Sequence, residues 1–229
     1  MLYLHESIDI LGAGQDAYVQ SVLERAAHSE AAGISRLVGV FKVIGSTHRW
    51  PRVVNLWEMD GWGHWAATLE RQFLPERTDP ALAPWWARTA QWRSGGFDRI
   101  LEPASFSPTR GQIETDELSG WVCSQTISRA HPGRTSAVLD AIHAAGEPLG
   151  HQQLRLVGAW TVPMRSDEIV EIWIAPTFAT LCAWYEARGG DPRWQVENRR
   201  RSEFVLESET LWMVPAAGCV LASSRAVAS

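Results

Sequence analysis

One stretch of the chain occurs twice, and it limits the fold more than any other feature. The first copy runs Arg36-Leu37-Val38-Gly39, a loop, then Val53-Val54-Asn55-Leu56-Trp57-Glu58. The second runs Arg155-Leu156-Val157-Gly158, a loop, then Ile169-Val170-Glu171-Ile172-Trp173-Ile174. The identical tetrapeptides lie 119 positions apart and the tryptophans 116, so the second loop is three residues shorter. Each copy reads as two strands joined by a hairpin. A supersecondary unit present twice in 229 residues divides the chain into two similar domains.

The flanking residues extend each copy. Leu2 to Ile10 alternates as a strand, with Leu2, Leu4, Glu6 and Ile8 on one face and Tyr3, His5 and Ser7 on the other. A helix follows Gly12-Ala13-Gly14, with Val19, Val22, Leu23 and Ala26 on its buried side, and Gly33 stops it. Strands are expected over 36–44 and 53–59, with Val53, Asn55, Trp57 and Met59 pointing one way and Val54, Leu56 and Glu58 the other. Trp62, Trp65, Leu69 and Phe73 then form a helical stripe. Asp79-Pro80 caps an added helix that carries Trp85, Trp86 and Trp92, Ser94-Gly95-Gly96 closes it, and 97–102 is the last strand. Strand, helix, two strands, helix, strand is the ferredoxin-like order.

Residues 105–118 are polar, without an apolar period, and read as a linker. Past it, Trp121 to Ile127 aligns with the opening strand at the 119 offset, which matches Glu6 with Gln125. Val138, Ala141, Ile142 and Ala145 take the places of the first helix's buried residues, Asp191-Pro192 repeats the cap before Trp194, and Leu211 to Val214 is the final strand. The expected division is a first repeat at 1–104, the linker, a second repeat at 119–215, and a loosely held tail at 216–229. Both faces of these strands carry apolar residues, so the sheet face not covered by helices must also be buried. The expected fold class is α+β: two tandem ferredoxin-like βαββαβ repeats that form an α/β barrel within one chain.

Composition excludes several functions. The formal charge is −5 with no basic stripe, so no nucleic-acid partner is expected; Arg199-Arg200-Arg201 is the only basic run and reads as a solvated helix end. No apolar run approaches the ~18 residues of a membrane span. The N-terminus lacks the pattern of a signal peptide, and a cytoplasmic location is expected. Cys123, Cys182 and Cys219 are odd in number and form no CxxC pair, against a disulfide framework or a zinc site. The histidines show no HxH or HxxxH spacing, and Gly12-Ala13-Gly14 is not a dinucleotide fingerprint. No cofactor and no metal are therefore expected.

Val38-Gly39-Val40-Phe41-Lys42, the hairpin, and Val53-Val54-Asn55-Leu56-Trp57-Glu58 resemble the core motif of the NIPSNAP family, within the dimeric α/β-barrel superfamily. The resemblance covers most of residues 2–75, with a weaker echo over 121–187. It departs from the family at the opening strand, where Leu4 and Glu6 replace the usual Glu-x-Arg, so the role of that arginine is not carried over. The superfamily hosts cofactor-free monooxygenases, polyketide cyclases, isomerases, lactone-forming and dehalogenating enzymes, and haem proteins, so the fold alone selects no reaction. The resemblance implies a pocket between one sheet and its covering helices.

The first repeat is the richer in titratable groups. At matched positions His5, Glu6, Glu58, Asp60 and His64 face Ser124, Gln125, Ile174, Pro176 and Thr180. Glu6 sits on a mainly apolar strand face, where burial would raise its pKa and suit it to act as a general base; a salt bridge to Arg36 or Arg52 is the structural alternative. His64 or Asp60 is the candidate partner acid. Of the thirteen tryptophans, Trp57, Trp62, Trp65, Trp85 and Trp86 can wall a flat apolar ligand, although Trp62 and Trp65 also suit simple packing. Trp85 and Trp86 are adjacent on a helix, so at least one must face a pocket mouth or an interface. Asn55 and Glu171 are expected to hydrogen-bond inside the barrel, or Asn55 to help hold substrate. The expected function is a cofactor-free enzyme acting by proton transfer on an apolar aromatic or polycyclic compound, as isomerase, cyclase or C–C lyase. The alternatives are a cofactor-independent monooxygenase and a non-catalytic module that binds a hydrophobic ligand or a protein; a homodimer stays open.

Overall fold

The computed structural model describes residues 1–151, 153–190 and 202–223. The elements run β1 (Leu2–Ile10), α1 (Gln15–Ala31), β2 (Arg36–Val43), β3 (Arg52–Met59), α2 (Trp62–Phe73), α3 (Leu82–Ala90) and β4 (Arg93–Pro103). They continue with α4 (Arg110–Thr115), β5 (Val122–Ala130), α5 (Thr135–His151), β6 (Arg155–Thr161), β7 (Glu168–Ala175), α6 (Phe178–Gly190) and β8 (Val205–Pro215). All strand pairs are antiparallel, and the eight strands close into one barrel in the order β1-β3-β2-β8-β5-β7-β6-β4. This is the α/β barrel of two ferredoxin-like repeats, each contributing four neighbouring strands. The sheets meet edge to edge, β2 on β8 and β4 on β6, which leaves no unpaired edge in the sheet.

The barrel interior shows why both strand faces are apolar. Tyr3, Phe41, Val54 and Leu56 from the first repeat share one buried cluster with Trp160, Ile172, Leu211 and Met213 from the second. Tyr3 meets Trp160 edge-on at 5.5 Å. The repeated Arg-Leu-Val-Gly has a steric cause here. The β2–β3 register shifts between Leu37 and Gly39, and the β6–β7 register between Leu156 and Gly158. A Cβ on Gly39 would lie 2.3 Å from the Phe41 ring, and one on Gly158 2.3 Å from the Trp160 ring. Each glycine makes room for the large aromatic two residues on. Gly158→Ala should therefore destabilise the fold by about 1–3 kcal/mol through overpacking. Gly63→Ala, in α2 with no atom near the added methyl, should be neutral or slightly stabilising. Chemical denaturation of the two variants measures the contrast.

The register of the first strand corrects the alignment of the repeats. Glu6 pairs with Asn55 and Asp98, whereas Thr126 pairs with Glu171 and Thr210. The counterpart of Glu6 is thus Thr126, not Gln125, and the counterpart of His5 is Gln125. The buried residues of the two first helices follow the same 120 offset, with Tyr18 and Val22 answered by Val138 and Ile142. The extra residue is absorbed before Arg155. Carrying the 119 offset back across it turned every matched side chain of the strand to the wrong face.

Other expectations change as well. Ser94-Gly95-Gly96 lies inside β4 rather than ending a helix, because Gly96 allows the strand to approach Ser7 closely: an added Cβ would sit 2.5 Å from its carbonyl oxygen. Trp92 follows α3, which ends at Ala90. The 105–118 segment contains α4, started by a capping box between Thr109 and Gln112, and it buries Ile113 and Leu118. The tail is not loose over its first part, since Ala216, Cys219 and Leu221 are buried in the core. Asp191-Pro192, Trp194 and Arg199-Arg200-Arg201 lie outside the described residues. Among the described residues, no helix is long and apolar enough to cross a membrane.

Candidate functional site

A cavity of about 380 Å³ lies between the outer face of the first sheet and helices α1, α2 and α3. The stripe of α2 explains it. None of that helix's residues is buried: Trp65 rests on the sheet against Met59 and Ile100, and with Leu69 and Phe73 it lines this space. Trp57, Met59 and Ile100 rise from the strands, and Trp85 and Trp86 stand on α3. Such an apolar wall with few polar groups is the usual form of a small-molecule site.

The polar floor is a row across three strands: Asn55 on β3, Glu6 on β1 and Asp98 on β4. Asn55 Nδ2 and Trp57 Nε1 donate to the same carboxylate oxygen, Glu6 Oε2, at 3.0 and 2.7 Å. Asn55 Nδ2 also lies 3.3 Å from the Tyr18 hydroxyl oxygen. Among the described residues, Glu6 Oε1 accepts no hydrogen bond. Burial raises the pKa of Glu6, and the neighbouring Asp98 charge raises it further, against the two hydrogen bonds and the more distant Arg93. Asp98 is also raised, by partial desolvation, although it is exposed at the open side; Arg93 opposes that shift. The Arg93 guanidinium lies 3.9 Å from the centre of the Trp86 ring and 5.8 Å from that of Trp85. Trp85 is fixed in turn by donating to the Ser21 carbonyl at 3.0 Å.

The structure thus brings Glu6, Asn55, Trp57, Trp65, Trp85 and Trp86 to one place. Neither salt bridge foreseen for Glu6 forms, since Arg36 pairs with Glu58 and Asp60, and Arg52 with Asp9. His64 and Asp60 do not join it. They line a separate polar pocket of about 260 Å³ with Arg36 and Glu58. Asp60 follows Met59, whose partner Leu2 is four residues from Glu6, about 13 Å along an extended strand. There Asp60 is exposed, pairs with Arg36 at 2.8 Å, and donates its backbone N–H to His64 Nδ1 at 3.3 Å. Trp62 is also elsewhere, 45% exposed, with its Nε1 donating to Glu102 at 2.9 Å. Asn55 serves the outer, helix-covered face rather than the barrel interior.

Asp98 and Arg93 are the residues that the sequence did not reveal. Asp98 fell within the strand expected over 97–102, but its place beside Glu6 depends on the β1–β4 register; Arg93 was assigned to the end of a helix because Ser94-Gly95-Gly96 read as a helix stop. The second repeat answers the polar row with Glu171, Thr126 and Thr210: the threonine hydroxyls meet at 2.8 Å, and buried Glu171 accepts from Trp173 Nε1 at 3.3 Å. Tyr185 from α6 packs on Trp212 with ring centres 5.0 Å apart and planes inclined at 55°, and it hydrogen-bonds Ser124 at 3.3 Å. In that repeat, side chains pack between helix and sheet at this level.

Haem is among the groups the superfamily resemblance implies. Among the described residues, no histidine, cysteine or tyrosine lines the cavity, so it offers a haem no His, Cys or Tyr axial ligand, and Met59 and Met164 without a histidine do not make up the Met/His pair of a haem site. Among the described residues, no group of three or more His, Cys, Asp or Glu is arranged to hold a metal ion.

No family model and no curated protein matches the sequence. Solved structures do match the fold. An anthrone oxidase-like protein aligns over 98% of this chain and 96% of its own, at 12% identity and a TM-score of 0.64. A candidate monooxygenase from Lactobacillus acidophilus aligns over 93% of both chains, at 8% identity and a TM-score of 0.63. A NIPSNAP domain protein from Burkholderia xenovorans aligns over 43% of this chain and 97% of its own, at 25% identity and a TM-score of 0.38. In fold the chain is an α/β barrel of two ferredoxin-like repeats, similar over nearly its whole length to the anthrone oxidase-like and candidate monooxygenase structures, with both halves of the barrel supplied by one polypeptide.

Proposed function

We propose that the first repeat houses a cofactor-free active site in which Glu6 removes a proton from a flat, apolar carbon or oxygen acid. The observation that carries this reading is the asymmetric holding of Glu6: two N–H donors fix Oε2, and among the described residues Oε1 has no partner and lies beside an aromatic-walled cavity. A base must be oriented and still have a free lone pair, and its pKa must lie nearer neutrality than that of a solvated carboxylate. Burial and Asp98 supply the second condition. Asp98, beside Glu6 and open to water, takes the role first given to His64 or Asp60 and carries the proton between Glu6 and solvent. The tryptophans stack on the substrate ring and exclude water. An isomerase, cyclase or C–C lyase would use this same first step.

The second reading is cofactor-independent monooxygenation, in which the carbanion left by Glu6 reacts with O₂. The names of the anthrone oxidase-like and candidate monooxygenase structures support it, at the level of fold. One experiment separates the two. Tricyclic ketones with an acidic methylene, anthrone first, are incubated with the protein in D₂O under argon and then in air. Deuterium exchange catalysed under argon supports proton transfer, and added O₂ uptake in air supports oxygenation. Neither activity, with ligand still bound, leaves the non-catalytic binding module.

The electrostatics give a further expected outcome. Asp98→Asn removes the charge that raises Glu6, so the acidic, ascending limb of the pH–rate profile, which reports deprotonation of the base, should move to lower pH. Arg93→Met removes an opposing charge and should move it to higher pH. Opposite displacements in kcat/KM profiles would support Glu6 as the titrating base; no movement in either variant would assign the limb to another group.

A further inference from the structure

The two hairpins of the barrel cross over to each other's repeat. The β2–β3 hairpin of the first repeat lies on β8 of the second: Ile44 N–H donates to the Trp212 carbonyl at 2.8 Å, Trp212 N–H donates to Thr47 Oγ1 at 3.0 Å, and His48 pairs with Glu209. The β6–β7 hairpin of the second repeat lies on β4 of the first. There Glu168 binds Arg99 at 2.5 Å and Arg165 at 3.2 Å, and Arg165 and Arg99 both cover the Phe97 ring, at 4.1 and 4.5 Å. Because Thr210 corresponds to Asp98, these are equivalent places in the two repeats.

The outcomes differ. The longer first hairpin places Ile44 in the apolar cluster outside the second sheet, together with Trp212 and Tyr185. The shorter second hairpin places Met164 on the wall of the first repeat's cavity, 68% exposed. Phe73 and Trp86 line the same cavity and are 69% and 40% exposed, whereas Trp57 and Ile100 are buried. Met164 therefore stands at the mouth, and it is a cavity residue drawn from the other repeat. Its hairpin is pinned by the ion pairs above and by the turn bonds Arg165 N–H to the Val162 carbonyl and Val162 N–H to the Glu168 carbonyl. The backbone is held while an unbranched thioether fills the opening, a side chain suited to adapting to apolar ligands.

We propose that Met164 is a specificity-determining residue, supplied across the barrel seam by the second repeat, that sets the ring size of the aromatic ligands admitted to the first repeat's cavity. This rests on the reading of that cavity as the ligand site. Truncating the side chain widens the mouth, and an indole in its place narrows it. The effect falls on wide ligands more than on narrow ones, because a methylene-scale change in an apolar pocket discriminates by about tenfold or more.

The test uses the full chain and two fluorescent probes, 2-naphthol and 1-hydroxypyrene, titrated against wild type, Met164→Ala and Met164→Trp. Leu206→Ala, another exposed apolar residue that does not line the cavity, is the control. The expected result is a Kd ratio of the two probes shifted about tenfold toward 1-hydroxypyrene in Met164→Ala and about tenfold toward 2-naphthol in Met164→Trp. The control should not move, and melting temperatures should be unchanged because the side chain is exposed. A ratio constant across all four proteins, with both probes bound, overturns the role of Met164 and leaves the cavity as the ligand site. Failure of wild type to bind either probe overturns both.

Discussion

Glu6→Gln is expected to lower proton-transfer turnover by about 10²–10⁴-fold without loss of the fold. The amide keeps the size of the side chain, and its oxygen still accepts from Asn55 Nδ2 and Trp57 Nε1, but it cannot take a proton. The stability control has a definite sign. A carboxylate whose folded pKa is raised stabilises the folded state fully below its unfolded pKa, and that contribution is lost as pH rises through the folded value. At neutral pH the wild type therefore carries the cost of a desolvated charge, and Glu6→Gln should melt at the same temperature or higher. Asn55→Leu should give a smaller loss of rate, since Trp57 still holds Oε2. Deuterium exchange into anthrone, followed by NMR with thermal melts alongside, checks all of this. Wild-type exchange rates in Glu6→Gln would remove Glu6 from the chemistry. Thr126→Glu is the informative negative: it places a carboxylate at the matched strand position of the other repeat, where Tyr185 and Trp212 pack, and should create no activity.

A loss of about 3 kcal/mol of stability on acidification from pH 6.5 to pH 4 is expected from His5 alone. His5 is fully buried in the barrel, where its Nε2 donates to Gln125 Oε1 at 2.9 Å and its Nδ1 has no partner among the described residues. Burial holds its pKa down to about 4, with the Gln125 hydrogen bond opposing and the Arg99 charge assisting. The unfolded chain protonates near 6.5, so below that pH it binds a proton that the folded chain refuses. The contribution is complete above the unfolded pKa and is lost as pH falls toward the folded one. Because Glu6 acts in the opposite sense in an overlapping range, the comparison must be between proteins. Urea unfolding of wild type and His5→Gln at pH 7.5 and 4.5 isolates the term, and equal pH dependence in the two would show that His5 is not the group responsible. The same pair links function to architecture, since His5 and Gln125 are equivalent residues of the two repeats meeting inside the barrel.

The limits of sequence reading show in particular residues. Arg36-Leu37-Val38-Gly39 and Arg155-Leu156-Val157-Gly158 sufficed for the tandem repeat, because each glycine is required locally by the aromatic two places on. Alternation along β1 and β3 placed Glu6 and Trp57 on one face, because strand periodicity is a property of the backbone. The stripe of Trp65, Leu69 and Phe73 was also legible, but not that it would line a space instead of filling one, which depends on how far α2 stands from the sheet. His64 and Asp60 are close to the site in sequence yet lie beyond the end of β3, and only the pairing of Leu2 with Met59 shows the distance. Asp98 and Met164 come from a strand 92 residues along the chain from Glu6 and from a hairpin in the other repeat. The chain by itself determined the repeat, the strand faces and the candidate base. The tertiary structure decided the register between strands, and through it the partners of that base, because hydrogen-bond pairing between distant strands leaves no local mark in the residues that take part.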